Sequence, residues 1–164
     1  IAEEFGGSAF QWTSKMEDRN KLWQARHDAY YAAIALRSGC QGWATDVCVP
    51  VSRLAECINE TKDDLEETGL ISPLVGHVGD GNFHMLYIVD PNNQEEMAKA
   101  QAHSDRMVMR ALEMGGTCTG EHGVGYGKIH FLTNEHGDAM SLMRSLKNAF
   151  DPDNIMNPGK IVNI

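Results

Sequence analysis

Residues 76–84 (GHVGDGNFH) are the part of this 164-residue chain best suited to chemistry. The pair Asp80-Gly81 predicts a two-residue type I′ hairpin loop, because such loops need residues that tolerate positive φ. With that loop His77 lies directly opposite His84, and the Cβ atoms of such a pair are about 4.5–5.5 Å apart. Two imidazoles at that separation, on one face of a hairpin, can bind one metal ion.

A divalent metal held by two histidines needs a third protein ligand, which is often a carboxylate. Glu121 lies in the glycine-rich stretch 119–123 (TGEHG), where flanking glycines allow the backbone to approach a site closely. His122, next to it, is a candidate general base near neutral pH. Two simpler interpretations stay open: incidental histidines in a tight hairpin, and a surface Glu–His pair.

Arg26 is a candidate for binding a carboxylate. Trp23, Arg26 and Tyr30 share one face of a predicted helix, and an arginine between aromatic rings can hold a carboxylate through two hydrogen bonds. A solvated arginine on an amphipathic helix is the alternative. Lys128 is equally ambiguous.

Hydrophobic periodicity and breakers predict helices and strands in mixed order. The predicted helices are 15–37 (broken near His27), 52–68, 92–114 and 134–150, and the predicted strands are 42–50, 71–78 and 83–89. Alternation puts His77, Gly79, Asn82 and His84 on one face of the hairpin and an apolar set on the other: Leu74, Val78, Phe83, Met85, Tyr87 and Val89. The pattern indicates an α+β fold, an antiparallel sheet with helices on one face.

Composition excludes several classes of protein. The net charge is −9 with no basic cluster, which argues against nucleic acid as the main partner. No apolar run reaches the 18 or so residues of a membrane span. Four cysteines without a C-x-x-C pair predict reduced thiols rather than a disulfide framework. The glycines after Thr119 do not follow G-x-G-x-x-G, which argues against a Rossmann site.

Three motifs in order, residues 76–84, 120–123 (GEHG) and 157–160 (NPGK), resemble the C-terminal domain of FAD-linked D-2-hydroxy-acid dehydrogenases of the vanillyl-alcohol oxidase type. Stretches 45–50 (TDVCVP) and 117–123 (TCTGEHG) resemble the branch of mitochondrial, cytochrome-linked D-lactate dehydrogenases. The likeness covers nearly the whole chain, and it implies a ferredoxin-like substrate domain that covers the flavin.

The resemblance also implies a role for each candidate residue. His77, His84 and Glu121 would be ligands of a divalent metal, zinc or manganese. His122 would be the base at the substrate hydroxyl. The Trp-x-x-Arg arginine, Arg26, would hold the substrate carboxylate, and Asn157 would reach the flavin ring.

By the same resemblance, the substrate would be a small 2-hydroxy acid, with D-lactate oxidised to pyruvate. Relatives that act on hydroxyglutarate carry a lysine near Ala44 and an asparagine near Leu86, and the small or apolar residues here weaken that reading. D-2-hydroxyglutarate and glycolate dehydrogenases of the same family remain alternatives. From the residues alone, so do a metal-dependent hydrolase and a ligand-binding domain.

The chain begins with Ile1 and resembles only one domain of the family, so we expect residues 1–164 to be an incomplete substrate domain. The FAD-binding domain would then be its partner, and the fragment alone would be inactive. Cytochrome c as electron acceptor and a mitochondrial location are implied by the resemblance only.

Overall fold

The computed structural model describes residues 2–8 and 12–162. It divides the chain into two compact units, 1–38 and 39–164. The first unit contains a short 3-10 turn, Ala2–Phe5, and helix α1, Met16–Ile34. Helix α1 continues through His27, so the predicted break there is wrong. No glycine or proline lies within α1 to interrupt its hydrogen bonds.

The second unit is built on a small antiparallel sheet. Its strands are β1, Gln41–Ala44; β2, Val47–Cys48; β3, Leu74–His77; and β4, Asn82–Val89. Strand β4 is central, because it pairs with β1 and β2 along one edge and with β3 along the other. All of its side chains are buried, which suits β-branched and aromatic residues in a central strand.

Two helices cover one face of this sheet. They are α2, Leu54–Thr68, and α3, Gln94–Glu113, which pack against each other. Alternate residues of β4, from Phe83 to Val89, join the helices in one hydrophobic core. The α+β fold with an antiparallel sheet is therefore confirmed. Two further helices follow, α4 (Leu132–His136) and α5 (Ala139–Phe150).

The predicted single helix over 134–150 is wrong, because Gly137 separates α4 from α5 with φ +52°. The predicted strand over 42–50 is likewise divided at Thr45 and Asp46. The register of β1 against β4 nevertheless continues unchanged into β2, since Ala44 pairs with Leu86 and Val47 with Phe83. That register sets Asp46 across from His84.

The hairpin register also differs from the prediction. His77 pairs with Asn82, not with His84, which pairs with Val75. The loop has four residues, 78–81, instead of two, because contacts with another segment hold its second half: Val49 N–H donates to Gly81 O at 3.0 Å. Tertiary contacts thus override the local preference of Asp80-Gly81 for a tight turn. Val78, expected on the apolar face, is 66% exposed in this loop.

The register change is two residues, so it leaves each side chain on its predicted face; a change of one residue would reverse the faces. His77 and His84 therefore still share a face, as diagonal neighbours. All four cysteines are free thiols, as expected. Within the described residues no helix has the length and hydropathy to cross a membrane.

Candidate functional site

His77, His84 and Glu121 come together on the sheet face opposite α2 and α3. Each offers one ligand atom, and these atoms all lie within 4.8 Å of one another. Glu121 Oε1 is 2.9 Å from His84 Nε2 and 3.6 Å from His77 Nε2. The two imidazoles meet edge to face with their centroids 6.1 Å apart, within reach for diagonal neighbours on a sheet.

The donor set fits a divalent cation. Protein nitrogen and oxygen ligands lie about 2.0–2.2 Å from zinc, so two ligands of one ion are at most about 4.4 Å apart. The Glu121 distances already meet that limit, and the half-exposed His77 has room to turn its ring. Two imidazoles and one carboxylate suit zinc, manganese or iron.

The orientation of His84 also fits a metal. Its Nδ1 is 2.8 Å from the carbonyl oxygen of Thr45, to which an Nδ1–H can donate. That bond leaves the Nε2 lone pair directed at Glu121. A lone pair and a carboxylate oxygen 2.9 Å apart repel unless a proton or a cation lies between them.

His122 lies at the rim of this cluster. Its ring stacks on that of His84, with centroids 5.1 Å apart and an interplanar angle of 15°. Its Nε2 is 3.7 Å from Glu121 Oε1, and its side chain is about half exposed. It is therefore beside the ligand set and open to a reacting molecule, as a general base requires.

Asp46 contacts the residues of this cluster, although the sequence analysis did not single it out as a candidate. Its carboxylate is buried, accepts hydrogen bonds from the turn that carries Glu121 and His122, and lies 3.7 Å from His84 Nδ1. Burial alone would raise the pKa of Asp46, but bonds from the His122 and Glu121 N–H groups and from Thr119 and Asn82 hold it well below its usual range. Strand alternation puts Asp46 on the face away from Val47 and the core, but this placement alone does not distinguish it from an ordinary polar residue of the outer face.

Lys128, left ambiguous by its sequence, lies beside Asp46. Its ammonium donates to the carbonyl oxygens of Asp46 and Cys118, and burial lowers its pKa. A cavity of about 190 Å³ opens here, lined among others by Trp43, Ser104, His122 and Lys128. It is far larger than the roughly 10–15 Å³ that one water needs, so a small molecule has room beside His122.

Two predicted site residues lie elsewhere in the chain. Arg26 is exposed on α1, in the first unit, with its guanidinium 5.4 Å from the ring centre of Trp23. Asn157 is exposed in the tail at φ +48°. The tail turn is fixed to the glycine-rich stretch, because Tyr126 O–H donates to Pro158 O and Ile161 N–H to Gly125 O.

A family model and individual relatives identify the same kind of protein. The family model for the C-terminal domain of FAD-linked oxidases matches residues 1–161. A probable mitochondrial D-lactate dehydrogenase of Danio rerio is 51% identical over all of this chain and 33% of its own length. A mitochondrial D-lactate dehydrogenase [cytochrome] of Arabidopsis thaliana is 42% identical over 99% of the chain and 29% of its own length.

A more distant relative carries a different name. A glycolate oxidase subunit of Bacillus subtilis is 35% identical over 98% of this chain and 34% of its own length. The chain thus spans about a third of the length of these relatives. With the family model covering almost every residue, the chain belongs to the FAD-linked oxidases, matching their C-terminal domain.

Proposed function

We propose that this chain is the metal- and substrate-binding part of an FAD-dependent D-lactate dehydrogenase, which oxidises D-lactate to pyruvate. The observation that carries the proposal is the convergence of His77, His84 and Glu121 with His122 beside them. The names of the Danio rerio and Arabidopsis thaliana relatives, both D-lactate dehydrogenases, support the substrate.

In the proposed site His77, His84 and Glu121 hold a divalent metal, with zinc and manganese as the candidates. A bound metal would supply Lewis-acid polarisation of the substrate hydroxyl, and a bound flavin would supply the hydride acceptor. The remaining steps belong to residues of this chain. His122 Nε2 removes the hydroxyl proton, and stacking on His84 holds its ring.

Arg26 binds the substrate carboxylate in this proposal, and so fixes which face of the substrate carbon meets the flavin. Its exposed guanidinium is compatible with that role. Asn157 is proposed to contact the flavin, and its exposed amide on an anchored turn can offer both a donor and an acceptor.

The side chain of the substrate is proposed to be small, as in D-lactate. Ala44 and Leu86, near which the family resemblance puts the polar groups of hydroxyglutarate-oxidising relatives, are register partners in the sheet. Leu86 follows His84 on the same face of β4. This pair offers no cation for a second carboxylate, which favours lactate or glycolate over hydroxyglutarate.

The proposal extends to partners and location. The FAD-binding domain of the family would supply the flavin. The names of several relatives include the word cytochrome, which supports a cytochrome as electron acceptor, and we propose cytochrome c for that role. The same relatives are named mitochondrial, which supports a mitochondrial location.

Flavin reduction in the complete, FAD-loaded protein tests the proposal. We expect D-lactate to bleach the flavin without oxygen faster than glycolate or D-2-hydroxyglutarate, and L-lactate to fail. Removal of metal by a chelator should abolish the reaction, and added Mn²⁺ or Zn²⁺ should restore it. A preference for glycolate would overturn the substrate assignment, and a flavin that none of these hydroxy acids reduces in the metal-loaded protein would overturn the reaction class.

A further inference from the structure

Asp46 occupies a position that links the elements of the proposed metal site. Its side chain is 1% exposed and lies in the interruption between β1 and β2, across from His84. A carboxylate so deeply buried is costly unless hydrogen bonds satisfy it. Its two oxygens bond to different parts of the chain.

One oxygen gathers the turn that carries Glu121 and His122. Asp46 Oδ2 accepts the backbone N–H groups of three successive residues, Gly120 at 2.8 Å, Glu121 at 3.0 Å and His122 at 2.9 Å, and also the Thr119 hydroxyl at 2.8 Å. Hydrogen bonds to an ionised acceptor are about twice as strong as neutral ones. The backbone of this turn is therefore fixed around a single atom.

The other oxygen bonds to the central strand. Asp46 Oδ1 accepts from Asn82 Nδ2 at 2.7 Å, and Asn82 stands two residues before His84 on β4. The turn and the strand are in close contact at this point. A Cβ atom added at Gly120 would lie 1.9 Å from Asn82 Nδ2, so only glycine lets the turn approach β4 this closely.

The backbone next to Asp46 orients the imidazole of His84. The carbonyl of Thr45, the preceding residue, is the partner of His84 Nδ1. The backbone carbonyl of Asp46 accepts a hydrogen bond from the Lys128 ammonium. The same ammonium donates to Cys118 O, so Lys128 connects this segment to the start of the turn.

We infer that Asp46 is a positioning residue: it sets the distance between the ligand that β4 carries, His84, and the turn that carries Glu121 and the base His122. The inference rests on the proposed metal site and adds a residue to it that touches neither metal nor substrate. Loss of such a supporting residue typically weakens metal binding about 10- to 100-fold.

Mn²⁺ binding to the complete protein, followed by electron paramagnetic resonance, tests this inference. Asp46→Asn keeps the volume of the side chain and removes its charge. Asp151→Asn is the matched control, because Asp151 is also buried and accepts two backbone N–H groups, those of Ile155 and Met156. His84→Ala separately tests the metal site.

We expect Asp46→Asn to weaken Mn²⁺ binding about 10- to 100-fold and to change the spectrum of the bound ion. Asp151→Asn should bind as the wild type does, and His84→Ala should lose the site. If His84→Ala loses Mn²⁺ while Asp46→Asn retains wild-type affinity and spectrum, the inference is wrong and the proposed function stands. If His84→Ala also binds normally, the proposed metal site fails.

Circular dichroism identifies a variant that does not fold. If Asp46→Asn fails this check, Gly120→Ala replaces it, since the added methyl group would lie 1.9 Å from Asn82 Nδ2 and 3.0 Å from Asp46 Oδ1 and so pushes the turn away from both, while Asp46 itself stays unsubstituted. We expect the same weakened binding from Gly120→Ala. Wild-type Mn²⁺ affinity in a folded Gly120→Ala would overturn the inference.

Discussion

Glu121 Oε1 lies 2.9 Å from Nε2 of His84, although one residue belongs to a glycine-rich turn and the other to the central strand. The same oxygen lies within 3.7 Å of the Nε2 atoms of His77 and His122. One carboxylate oxygen thus stands among three imidazoles. Such a cluster of imidazole nitrogens around a carboxylate is suited to a cation, and the chemistry that we propose depends on it.

His122→Gln should distinguish the proposed role of His122 as general base from the role of a metal ligand. We expect kcat for D-lactate to fall about 100- to 10,000-fold, the usual contribution of a positioned general base, with metal content unchanged. Rapid-mixing measurement of flavin reduction, with metal analysis of the same sample, checks both parts. His130→Gln, at an exposed histidine, is the control. Loss of metal from His122→Gln would show instead that His122 is a ligand.

The double substitution Ala44→Lys with Leu86→Asn should change substrate preference. A lysine and an amide on paired positions of the site face can bind a second carboxylate. We expect kcat/KM for D-2-hydroxyglutarate relative to D-lactate to rise about tenfold or more, the effect of roughly 1.4 kcal/mol. Steady-state kinetics with both substrates measures it. An unchanged ratio would place the substrate side chain elsewhere.

Thr45→Val should destabilise the fold near the site. The Thr45 hydroxyl accepts from Met85 N–H at 2.9 Å and is buried, so valine leaves that N–H without its partner. An unsatisfied buried donor costs about 1–3 kcal/mol. Urea denaturation of Thr45→Val should show a free energy of unfolding lower by this amount. Thr133→Val, at an exposed position, should leave the free energy of unfolding nearly unchanged. Equal stability of the two variants would contradict the assigned role of the hydroxyl.

His103 should make stability depend on pH. The side chain is fully buried. Its Nδ1 is hydrogen-bonded to the Tyr87 hydroxyl and its Nε2 to the carbonyl oxygen of Thr61. The charged residues close to it are Asp64, Arg106 and Arg110. Burial lowers the pKa of His103 below its ordinary value of about 6.5. Since the unfolded chain then takes up the proton more readily, the free energy of unfolding should fall as pH decreases below about 6.5.

His103→Gln tests this pH dependence because glutamine does not titrate. We expect a lower free energy of unfolding at pH 7.5, by about 1–3 kcal/mol, but a smaller further loss between pH 6.5 and 5 than in the wild type. Urea denaturation at several pH values gives both quantities. His130→Gln should keep the wild-type slope, and an identical slope in His103→Gln would refute the assignment.

The sequence was sufficient for the faces of the sheet but not for its register. Alternation with a period of two correctly put His77 and His84 on one face. This prediction was right although the predicted register of the hairpin was wrong by two residues, because a shift of two residues leaves the faces unchanged. The loop was misjudged because the hydrogen bond between Val49 and Gly81 comes from a distant segment. Local turn preferences contain no information about such a contact.

The contacts of Asp46 cannot be recognised from the amino-acid sequence alone. Its neighbours Val47 and Val49 mark a strand, and the acid between Thr45 and Val47 looks like an ordinary residue on the outer face. Its importance comes from five hydrogen bonds to Asn82 and to residues 119–122, which only the fold brings together. The split of the last helix at Gly137 is similar, since a glycine can be tolerated within a helix or can end it.

The most direct test of the metal site is an anomalous-scattering map of crystals of the Mn²⁺-loaded complete protein, recorded near the manganese absorption edge. We predict one strong peak bonded to His77 Nε2, His84 Nε2 and Glu121 Oε1, with His122 outside the ligand set. A fully loaded protein whose map shows no peak among these three residues would contradict the account.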